Sequence, residues 1–314
     1  MPELRRDELT GLWALIAPAR ASRPYTFPSP SAASAEPPAA CPFCPGHEAM
    51  TPPEVYRTGE GMRDTKGWRI RVFPNLYPMV GGDDPGPGAS GAHEVMVLSP
   101  EHRRSFAQLA EEEAVAAVTV LRDRARRHLA SGHSYVGAFI NHGSAAGASI
   151  EHPHGQVVAL DVVPPVVEAA LARVDAAGTD LVAAAVAAAP RDGLVVVDGP
   201  APVWCPAASS APFEIRVAHR STGARFDEAT DAEVAAVALA ARDALARLAA
   251  VLGDAPYSLV VHTAPQGRVG TFHWYVEIRP RISIAAGFEQ ATGIYVNIVP
   301  PERAARQLRE APLT

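Results

Sequence analysis

Apolar and polar positions alternate over several short segments in the first half of the chain, and one long segment has helical spacing instead. The helix is predicted over about residues 109–130, with Gly132 ending it. A stretch rich in proline, serine and alanine, residues 18–40, is expected to be irregular. The strand-like segments, rich in β-branched and aromatic residues, are Trp13–Ala17, Trp68–Phe73, Glu94–Leu98, Tyr135–Ile140 and Gln156–Leu160.

The second half of the chain repeats this order of elements. A helical stretch over about residues 166–188, with a break near Gly178, lies between the first set of elements and this repeat. A strand, a helix with Asp231 as its predicted N-cap, and two more strands follow. Their predicted bounds are Phe213–His219, Asp231–Leu252, Tyr257–Val261 and Phe272–Ile278. The pattern therefore predicts an α+β protein.

The spacing of polar residues after the strands supports an internal duplication. Asn141 precedes His152 by eleven residues, and His262 precedes His273 by the same interval. A duplicated strand–helix–strand–strand unit explains this match, and chance similarity between two amphipathic stretches is the alternative.

A duplication predicts two tandem domains of similar architecture. The first, residues 1–190, would hold the chemistry, and the second, residues 191–314, would keep mainly the fold. The second copy has Tyr275 where the first copy has its second histidine, His154. Only the first copy is therefore expected to react.

Composition narrows the class of protein. The chain has 314 residues, 48% of them hydrophobic and 20% charged, as expected of a soluble globular protein. Its formal net charge of -6 argues against nucleic acid as a partner. No apolar run approaches the roughly 20 residues that span a bilayer, and the N-terminus does not resemble a signal peptide. With three cysteines and no disulfide pattern, a cytoplasmic protein is expected.

A CxxC pair suggests a metal site. Cys41 and Cys44 flank a turn that can present two thiolates to one ion, and zinc needs four ligands. His102 and His152 are the candidates for the other two. A redox pair and two unliganded core cysteines are the alternatives. Cys205 stands apart and is expected to be a small buried residue.

The segment Glu151-His-Pro-His-Gly-Gln156 is the strongest chemical signal. In an extended chain His152, His154 and Gln156 point to one face, and Pro153 favours that extended form. A neutral imidazole attacks phosphorus well, provided that its other ring nitrogen is held as a donor. Gln156 can donate to a phosphoryl oxygen and cannot act as an acid or a base.

Two further segments are candidate phosphate contacts. The loop from Asn141 to Ser149 is made of small residues, including Gly147, and its backbone N–H groups could approach phosphates closely. Arg20 and Arg23 lie three residues apart before a proline and could hold a phosphate or a ribose. For both arginines, solvated surface charge is the alternative.

Taken together, these motifs resemble the galactose-1-phosphate uridylyltransferase family, the transferase branch of the histidine-triad superfamily. The resemblance runs through nearly the whole chain in the family's order. It is carried by Arg20–Pro24, Cys41–Cys44, Trp68–Asn75, Glu94–His102, Asn141–Gln156, His273–Arg281, Ala286–Glu289 and Pro301–Glu302. It implies two tandem histidine-triad-like half-barrels with antiparallel sheets and flanking helices.

The resemblance also implies roles for individual residues. Cys41, Cys44, His102 and His152 would bind one structural Zn²⁺ per chain, with no organic cofactor. His154 would be the catalytic nucleophile, and Gln156 would contact the phosphate. Residues implied to hold the substrates are Arg20, Arg23, Asn75, Asn141, Gly147, Ser149, Phe288 and Glu289.

The implied activity is double displacement through a nucleotidyl-histidine. A nucleoside monophosphate, in the first choice UMP, would move between a nucleotide sugar and a hexose 1-phosphate, in galactose metabolism. Gln156 favours transfer, because histidine-triad hydrolases carry a third histidine there. The partners would be a nucleotide sugar and a sugar phosphate, with no nucleic acid and no membrane. The implied assembly is a homodimer in which Phe288 and Glu289 meet the sugar in the other subunit.

Departures from the family keep two alternatives open. Residues 281–287 contain no lysine, although the best-known members grip the sugar phosphate with one there. An iron site of some members needs a glutamate and three histidines; Tyr275 replaces the third here, so that metal is not predicted at His262 and His273. The alternatives are a phosphorylase of nucleotide sugars such as ADP-glucose, or of dinucleoside polyphosphates, and a catalytically silent zinc-stabilised nucleotide-binding protein.

Overall fold

Strands from both halves of the chain form two sheets in the computed structural model, which describes residues 1–22, 41–82, 86, 88–102, 104–221, 223–268 and 270–313. The strands of the first half are β1 (Glu3–Arg6), β2 (Trp13–Ile16), β3 (Tyr56–Gly59), β4 (Trp68–Pro74), β5 (Gly91–Val97), β6 (Tyr135–His142) and β7 (His154–Leu160). Those of the second half are β8 (Val195–Val197), β9 (Val203–Trp204), β10 (Ile215–Val217), β11 (Tyr257–His262), β12 (Tyr275–Pro280) and β13 (Ile294–Asn297).

Five helices lie between these strands and a sixth follows the last strand in the described part of the chain. They are α1 (Glu111–Ala130), α2 (Pro165–Ala177), α3 (Leu181–Ala188), α4 (Asp231–Leu252), α5 (Gly287–Thr292) and α6 (Pro301–Arg309). The predicted break at Gly178 is confirmed, because that residue ends α2 in the left-handed conformation at φ 62°. None of the helices in the described part of the chain is long and apolar enough to cross a membrane.

The predicted N-cap of α4 is wrong by one residue. Thr230 caps this helix, because its side chain accepts the backbone N–H of Glu233 while the Glu233 carboxylate accepts the N–H of Thr230. This reciprocal capping box satisfies two backbone donors that Asp231 inside the helix would leave free.

The ten-stranded sheet is antiparallel and contains the duplication. Its strand order is β3-β4-β5-β7-β6-β11-β12-β10-β9-β8, and it reads the same from both sides of the β6–β11 pair. The succession β4, β5, α1, β6, β7 thus corresponds to β9, β10, α4, β11, β12. The sheet confirms two tandem histidine-triad-like units of the α+β class, joined edge to edge.

Two reciprocal arginine contacts show the same pseudo-twofold relation. Arg122 of α1 donates through Nη1 to the carbonyl of Ala229, at 3.0 Å, just before the N-cap of α4. Arg242 of α4 donates through Nε to the carbonyl of Leu109, at 2.5 Å, just before the N-cap of α1. Each helix thereby donates one arginine hydrogen bond to the backbone just before the other helix, as expected of two copies related by a twofold axis.

The two faces of the large sheet differ. Helices α1 and α4 cover one face, where Leu121, Val157 and Leu245 belong to a continuous apolar core. On the other face of the first copy, Cys41, Phe43 and neighbouring residues form a smaller cluster. Because side chains alternate along a strand, His154 and Gln156 project to this second face.

The predicted division into residues 1–190 and 191–314 stays a prediction. The large sheet runs unbroken from one copy to the other, and the core beneath α1 and α4 contains residues of both. A second sheet, β1-β2-β13, joins the chain ends, since β13 pairs in parallel with β2.

A buried ion pair anchors the segment that follows the CxxC turn. Arg71 of β4 donates through Nε to Glu54 at 2.9 Å, and through Nη1 to the Thr51 hydroxyl at 2.8 Å. Both charged side chains are only 2% exposed. Its Nη2 also lies 3.0 Å from Asp64. This one guanidinium therefore fastens residues 51–64 to the sheet.

Replacing Arg71 with Met is expected to destabilise the protein by about 3 kcal/mol, because the buried Glu54 then keeps only the longer ion pair with Arg57, at 3.4 Å. Urea unfolding measures the change. Arg69→Met on the same strand is the matched control, since Arg69 is exposed and should change stability by less than about 0.5 kcal/mol. Equal stabilities of the two variants would contradict the assigned role.

Candidate active site and metal centre

The predicted metal ligands converge. One ligand atom from each of Cys41, Cys44, His102 and His152 lies within 4.8 Å of all the others. The Nδ1 atom of His152 is 3.8 Å from the sulfur of Cys41 and 3.6 Å from that of Cys44. The Nδ1 atom of His102 is 3.3 Å from the sulfur of Cys44. These four residues could hold a metal ion.

These distances fit zinc. Tetrahedral zinc with typical bonds to sulfur and nitrogen separates the two ligand atoms by about 3.6 Å, and the observed separations bracket that value. His152 also donates through Nε2 to the carbonyl of Ser99 at 2.8 Å, which leaves Nδ1 as the coordinating nitrogen. Two sulfurs and two imidazole nitrogens are a ligand set that zinc favours.

Burial shifts the pKa values of two of the four candidate ligands, His152 and Cys44. It lowers the pKa of His152 to about 4, which keeps the imidazole in the neutral form that binds metals. Burial, together with the neighbouring thiol of Cys41, raises the pKa of Cys44 to about 11. The Cys44 thiol therefore ionises readily only beside a cation.

His154 has the geometry of a nucleophile. It is buried at the start of β7, with Nδ1 at 2.8 Å from the carbonyl oxygen of His152. A carbonyl only accepts, so Nδ1 carries the hydrogen and donates it. Burial lowers the pKa of His154, so the ring stays neutral and the lone pair of Nε2 is free. The hydrogen-bonded ring nitrogen that sequence reasoning required is present.

The CxxC turn also contacts this histidine. Phe43, inside the turn, packs edge-on against the imidazole of His154 with ring centroids 5.3 Å apart. His152, two residues from His154, faces the cysteines on either side of Phe43. An ion bound by this turn would therefore hold both the backbone carbonyl and the aromatic ring that orient His154.

Gln156 lies two residues further along β7, on the same face as His154. Its Oε1 atom is 2.7 Å from Nε2 of His93, which is buried on the neighbouring strand β5. Asn75 lies beside them, with Nδ2 at 3.1 Å from the same nitrogen of His93. Asn75 and Gln156, both predicted to hold substrate, therefore lie on either side of the same ring nitrogen of His93.

The predicted phosphate loop follows β6. Strand register places Ile140 opposite Gly155, so the next residue on β6, Asn141, lies across from His154. Gly147 adopts the left-handed conformation at φ 89°, and a β-carbon there would stand 3.9 Å from Nδ2 of Asn141. Ser149 is exposed beyond the turn. The loop therefore begins beside His154, with the Asn141 amide next to Gly147.

Three of the predicted residues in the described part of the chain are not brought to this cluster, and a fourth lies outside that part. Arg20 is exposed in the turn Pro18–Ser22 after β2, and Arg23 lies outside the described residues. Phe288 is 47% exposed on α5. Glu289 accepts the N–H of Ala286 and so caps its own helix. Their substrate roles remain predictions.

The second copy has the same frame with different chemistry. His273 donates through Nε2 to the carbonyl of His219 at 2.8 Å, as His152 does to Ser99. Its Nδ1 lies 2.7 Å from a carboxylate oxygen of Asp180, where His152 faces the cysteines. His262 stacks on Tyr275 with ring centroids 4.5 Å apart. An Asp–His pair therefore stands in place of the metal cluster.

His93 and the packing of Phe43 against His154 were not predicted from the sequence. The signal for His93 was available: on β5 the residues at 93, 95 and 97 share one face, and the other two are valines. A lone polar side chain in that row is unusual and pairs across the sheet with the strand that carries His154 and Gln156.

This arrangement defines the class. Two tandem histidine-triad-like units with one intact reactive site are typical of nucleotidyltransferase-type proteins, and the family comparisons agree. Residues 98–311 match the model of a domain of unknown function, DUF4921. The chain is 32% identical over its full length to ADP-glucose phosphorylase of Arabidopsis thaliana, covering 94% of that protein. It is 26% identical to galactose-1-phosphate uridylyltransferase of Thermotoga maritima, covering 99% of this chain and 98% of that one.

Solved structures agree with these relatives. An ADP-glucose phosphorylase from Arabidopsis thaliana with bound ADP-glucose superimposes with a TM-score of 0.86 at 29% identity, covering all of both chains. A uridylyltransferase superimposes with a TM-score of 0.75 at 26% identity, covering 99% of this chain and 98% of that one. The chain belongs to the galactose-1-phosphate uridylyltransferase family.

Proposed function

We propose that this protein is a nucleoside-diphosphate-sugar phosphorylase that transfers a nucleotidyl group, in the first instance AMP from ADP-glucose, through His154 to inorganic phosphate. The observation that carries the proposal is the hydrogen bond from Nδ1 of His154 to the carbonyl of His152, at 2.8 Å. It leaves Nε2 unprotonated and aimed away from the backbone, as covalent catalysis at phosphorus requires.

In the first step Nε2 of His154 forms a bond to the α-phosphorus. The bond from that phosphorus to the bridging oxygen breaks, and glucose 1-phosphate leaves with the electron pair. The nucleotidylated ring is positively charged, and its Nδ1–H stays bonded to the His152 carbonyl, which stabilises that charge. In the second step an oxygen of inorganic phosphate attacks the same phosphorus, releasing ADP and neutral His154.

Positioning and charge stabilisation are the remaining tasks. We assign Gln156 as a donor to the phosphoryl oxygens, because it shares a strand face with His154. Asn141, Gly147 and Ser149 line the loop that begins opposite the nucleophile, and their small size suits close contact with phosphates. Asn75, which lies beside His93 near Gln156, would contact the nucleotide.

Two findings favour inorganic phosphate as the acceptor. The full-length relative with 32% identity is a phosphorylase of ADP-glucose. Residues 281–287 contain no lysine that would bind the phosphate of a sugar acceptor. Uridylyl transfer to a hexose 1-phosphate is the second candidate, since a galactose-1-phosphate uridylyltransferase also aligns with 99% of the chain.

We assign zinc to the Cys41, Cys44, His102 and His152 cluster and propose that its role is structural. Four protein ligands leave no open coordination position, so the ion contributes rigidity around His154. We also propose a cytoplasmic homodimer in which Phe288 and Glu289 of each subunit approach the sugar in the partner's site, since α5 is exposed in the single chain.

Incubation with ADP-glucose, UDP-glucose or GDP-glucose without an acceptor tests the function by intact-mass spectrometry. We expect an adduct of one nucleoside monophosphate on His154, formed fastest from ADP-glucose. Addition of phosphate should discharge it as ADP, whereas galactose 1-phosphate should discharge it slowly.

Other outcomes separate the candidates. An adduct that forms from UDP-glucose and is discharged by galactose 1-phosphate alone would replace the phosphorylase by the transferase. If none of the three nucleotide sugars labels the protein, both candidates are rejected and the binding-protein alternative gains support.

A further inference from the structure

His93 lies between Gln156, the neighbour of the proposed nucleophile His154, and the loop that contains Met79. It is 5% exposed on β5, and its two ring nitrogens face different elements. We propose that His93 is a positioning residue, which acts on the reaction by fixing the side-chain amide of Gln156 in one of its two orientations. The inference rests on the proposed function, because it concerns how Gln156 meets the phosphoryl group on His154.

The hydrogen-bond partners determine the tautomer of His93. The backbone N–H of Met79 donates to Nδ1 at 3.1 Å, so Nδ1 must be unprotonated. Burial lowers the pKa of His93, which keeps the ring neutral. The single hydrogen of the neutral ring is therefore on Nε2. The ring is a donor towards β7 and an acceptor towards the loop after β4.

This hydrogen goes to Gln156. Two side chains lie near Nε2 of His93: Oε1 of Gln156 at 2.7 Å and Nδ2 of Asn75 at 3.1 Å. The side-chain oxygen of Asn75, Oδ1, already accepts the backbone N–H of Tyr77 at 2.9 Å. The side-chain NH₂ group of Asn75 therefore faces the ring. Of the two neighbours only the Gln156 carbonyl can accept, so the Asn75 NH₂ group contacts the ring without a hydrogen bond to Nε2.

The consequence lies at the far end of the Gln156 amide. With Oε1 bound to His93, the NH₂ group keeps both hydrogens for another acceptor, such as a phosphoryl oxygen. In the flipped amide the carbonyl oxygen would face the negatively charged phosphoryl group and repel it. Flipping would also set the NH₂ group against the Nε2–H of His93. The ring therefore selects the orientation in which Gln156 stabilises the transition state.

The kinetic test uses two replacements of His93. His93→Phe keeps a planar ring but loses both hydrogen bonds, and His93→Gln keeps an amide donor near the position of Nε2. In single turnovers with ADP-glucose, we expect His93→Phe to lower the rate of His154 nucleotidylation by about 10-fold or more, with little change in substrate Kd. His93→Gln should recover most of that rate. His133→Ala is the matched control, because His133 precedes β6 at the opposite end from Asn141 and pairs with Asp161.

A double-mutant cycle with Gln156→Ala separates positioning from general damage to the fold. If His93 acts through Gln156, His93→Phe causes no further loss of rate when Gln156 is already Ala. The same fold-loss in both backgrounds would overturn the proposal, and so would a wild-type rate for His93→Phe while Gln156→Ala is slow. A wild-type protein without any adduct would instead reject the proposed function.

A measurement without turnover tests the tautomer itself. In ¹⁵N-histidine-labelled protein, the signals lost in His93→Phe identify the ring. We expect Nε2 to have the shift of a protonated nitrogen and Nδ1 that of an unprotonated acceptor. The reverse pattern, or a doubly protonated ring near neutral pH, would overturn the inference whatever the substrate proves to be.

Discussion

His154→Gly should abolish formation of the nucleotidyl adduct and lower turnover by at least about 10⁴-fold, because a covalent nucleophile has no substitute. Intact mass after incubation with ADP-glucose and steady-state release of glucose 1-phosphate measure the two effects. The reason is structural: Nε2 of His154 is the buried ring's free nitrogen, and the other nitrogen is bonded to the His152 carbonyl.

His154→Asn is the companion variant, because its amide can keep the bond to the His152 carbonyl without supplying a nucleophile. It should fold with nearly wild-type stability and be equally inactive. Activity of either variant within 100-fold of wild type would contradict the nucleophile assignment. His133→Ala, at the opposite end of the strands, should retain full activity.

Cys41→Ser should lower the zinc content from about one ion per chain to well below one. Because a structural zinc site contributes directly to folding, we expect a loss of roughly 3 kcal/mol or more, which lowers Tm by about 5 °C or more in a protein of this size. Elemental analysis of purified protein and thermal unfolding measure both. Activity should fall as well. Phe43, which lies between the two cysteines, packs against the His154 ring, and the carbonyl of the ligand His152 accepts the hydrogen of His154 Nδ1.

Cys205→Ala is the control for this experiment. Cys205 is fully buried away from the cluster, so its loss should leave the zinc content unchanged. Wild-type protein with well under one zinc per chain would contradict the metal assignment. A Cys41→Ser variant with unchanged zinc content and Tm would contradict it as well.

The shared face of the candidate reactive residues was predictable because the signal is local. Alternation along a strand places His152, His154 and Gln156 on one face in any fold that keeps the strand extended. The zinc candidates were predictable in the same way, since a CxxC turn presents two sulfurs and needs only two more ligands. The structure confirms that Cys41 and Cys44 meet His102 and His152.

Several elements were missed because their stability is not local. Strand β13 has a weak pattern of its own and exists through parallel pairing with β2 at the other end of the chain. The strand predicted over residues 213–219 is shorter in the structure, β10 at Ile215–Val217. The strand predicted over residues 272–278 begins and ends later, as β12 at Tyr275–Pro280, because pairing with neighbouring strands sets where a strand starts and stops. Thr230 rather than Asp231 caps α4, because the reciprocal bond with Glu233 selects the cap.

By itself the sequence determined the duplicated α+β frame, the candidate reactive segment and the family, since strand periodicity, residue spacing and motif order are properties of the chain. Only the tertiary structure decided which hydrogen sits on which ring nitrogen. His93 reaches Gln156 across 63 residues of sequence, and the His154 tautomer depends on how the chain turns at His152. Hydrogen bonds select tautomers and amide orientations, and their partners are adjacent only after the sheet has formed.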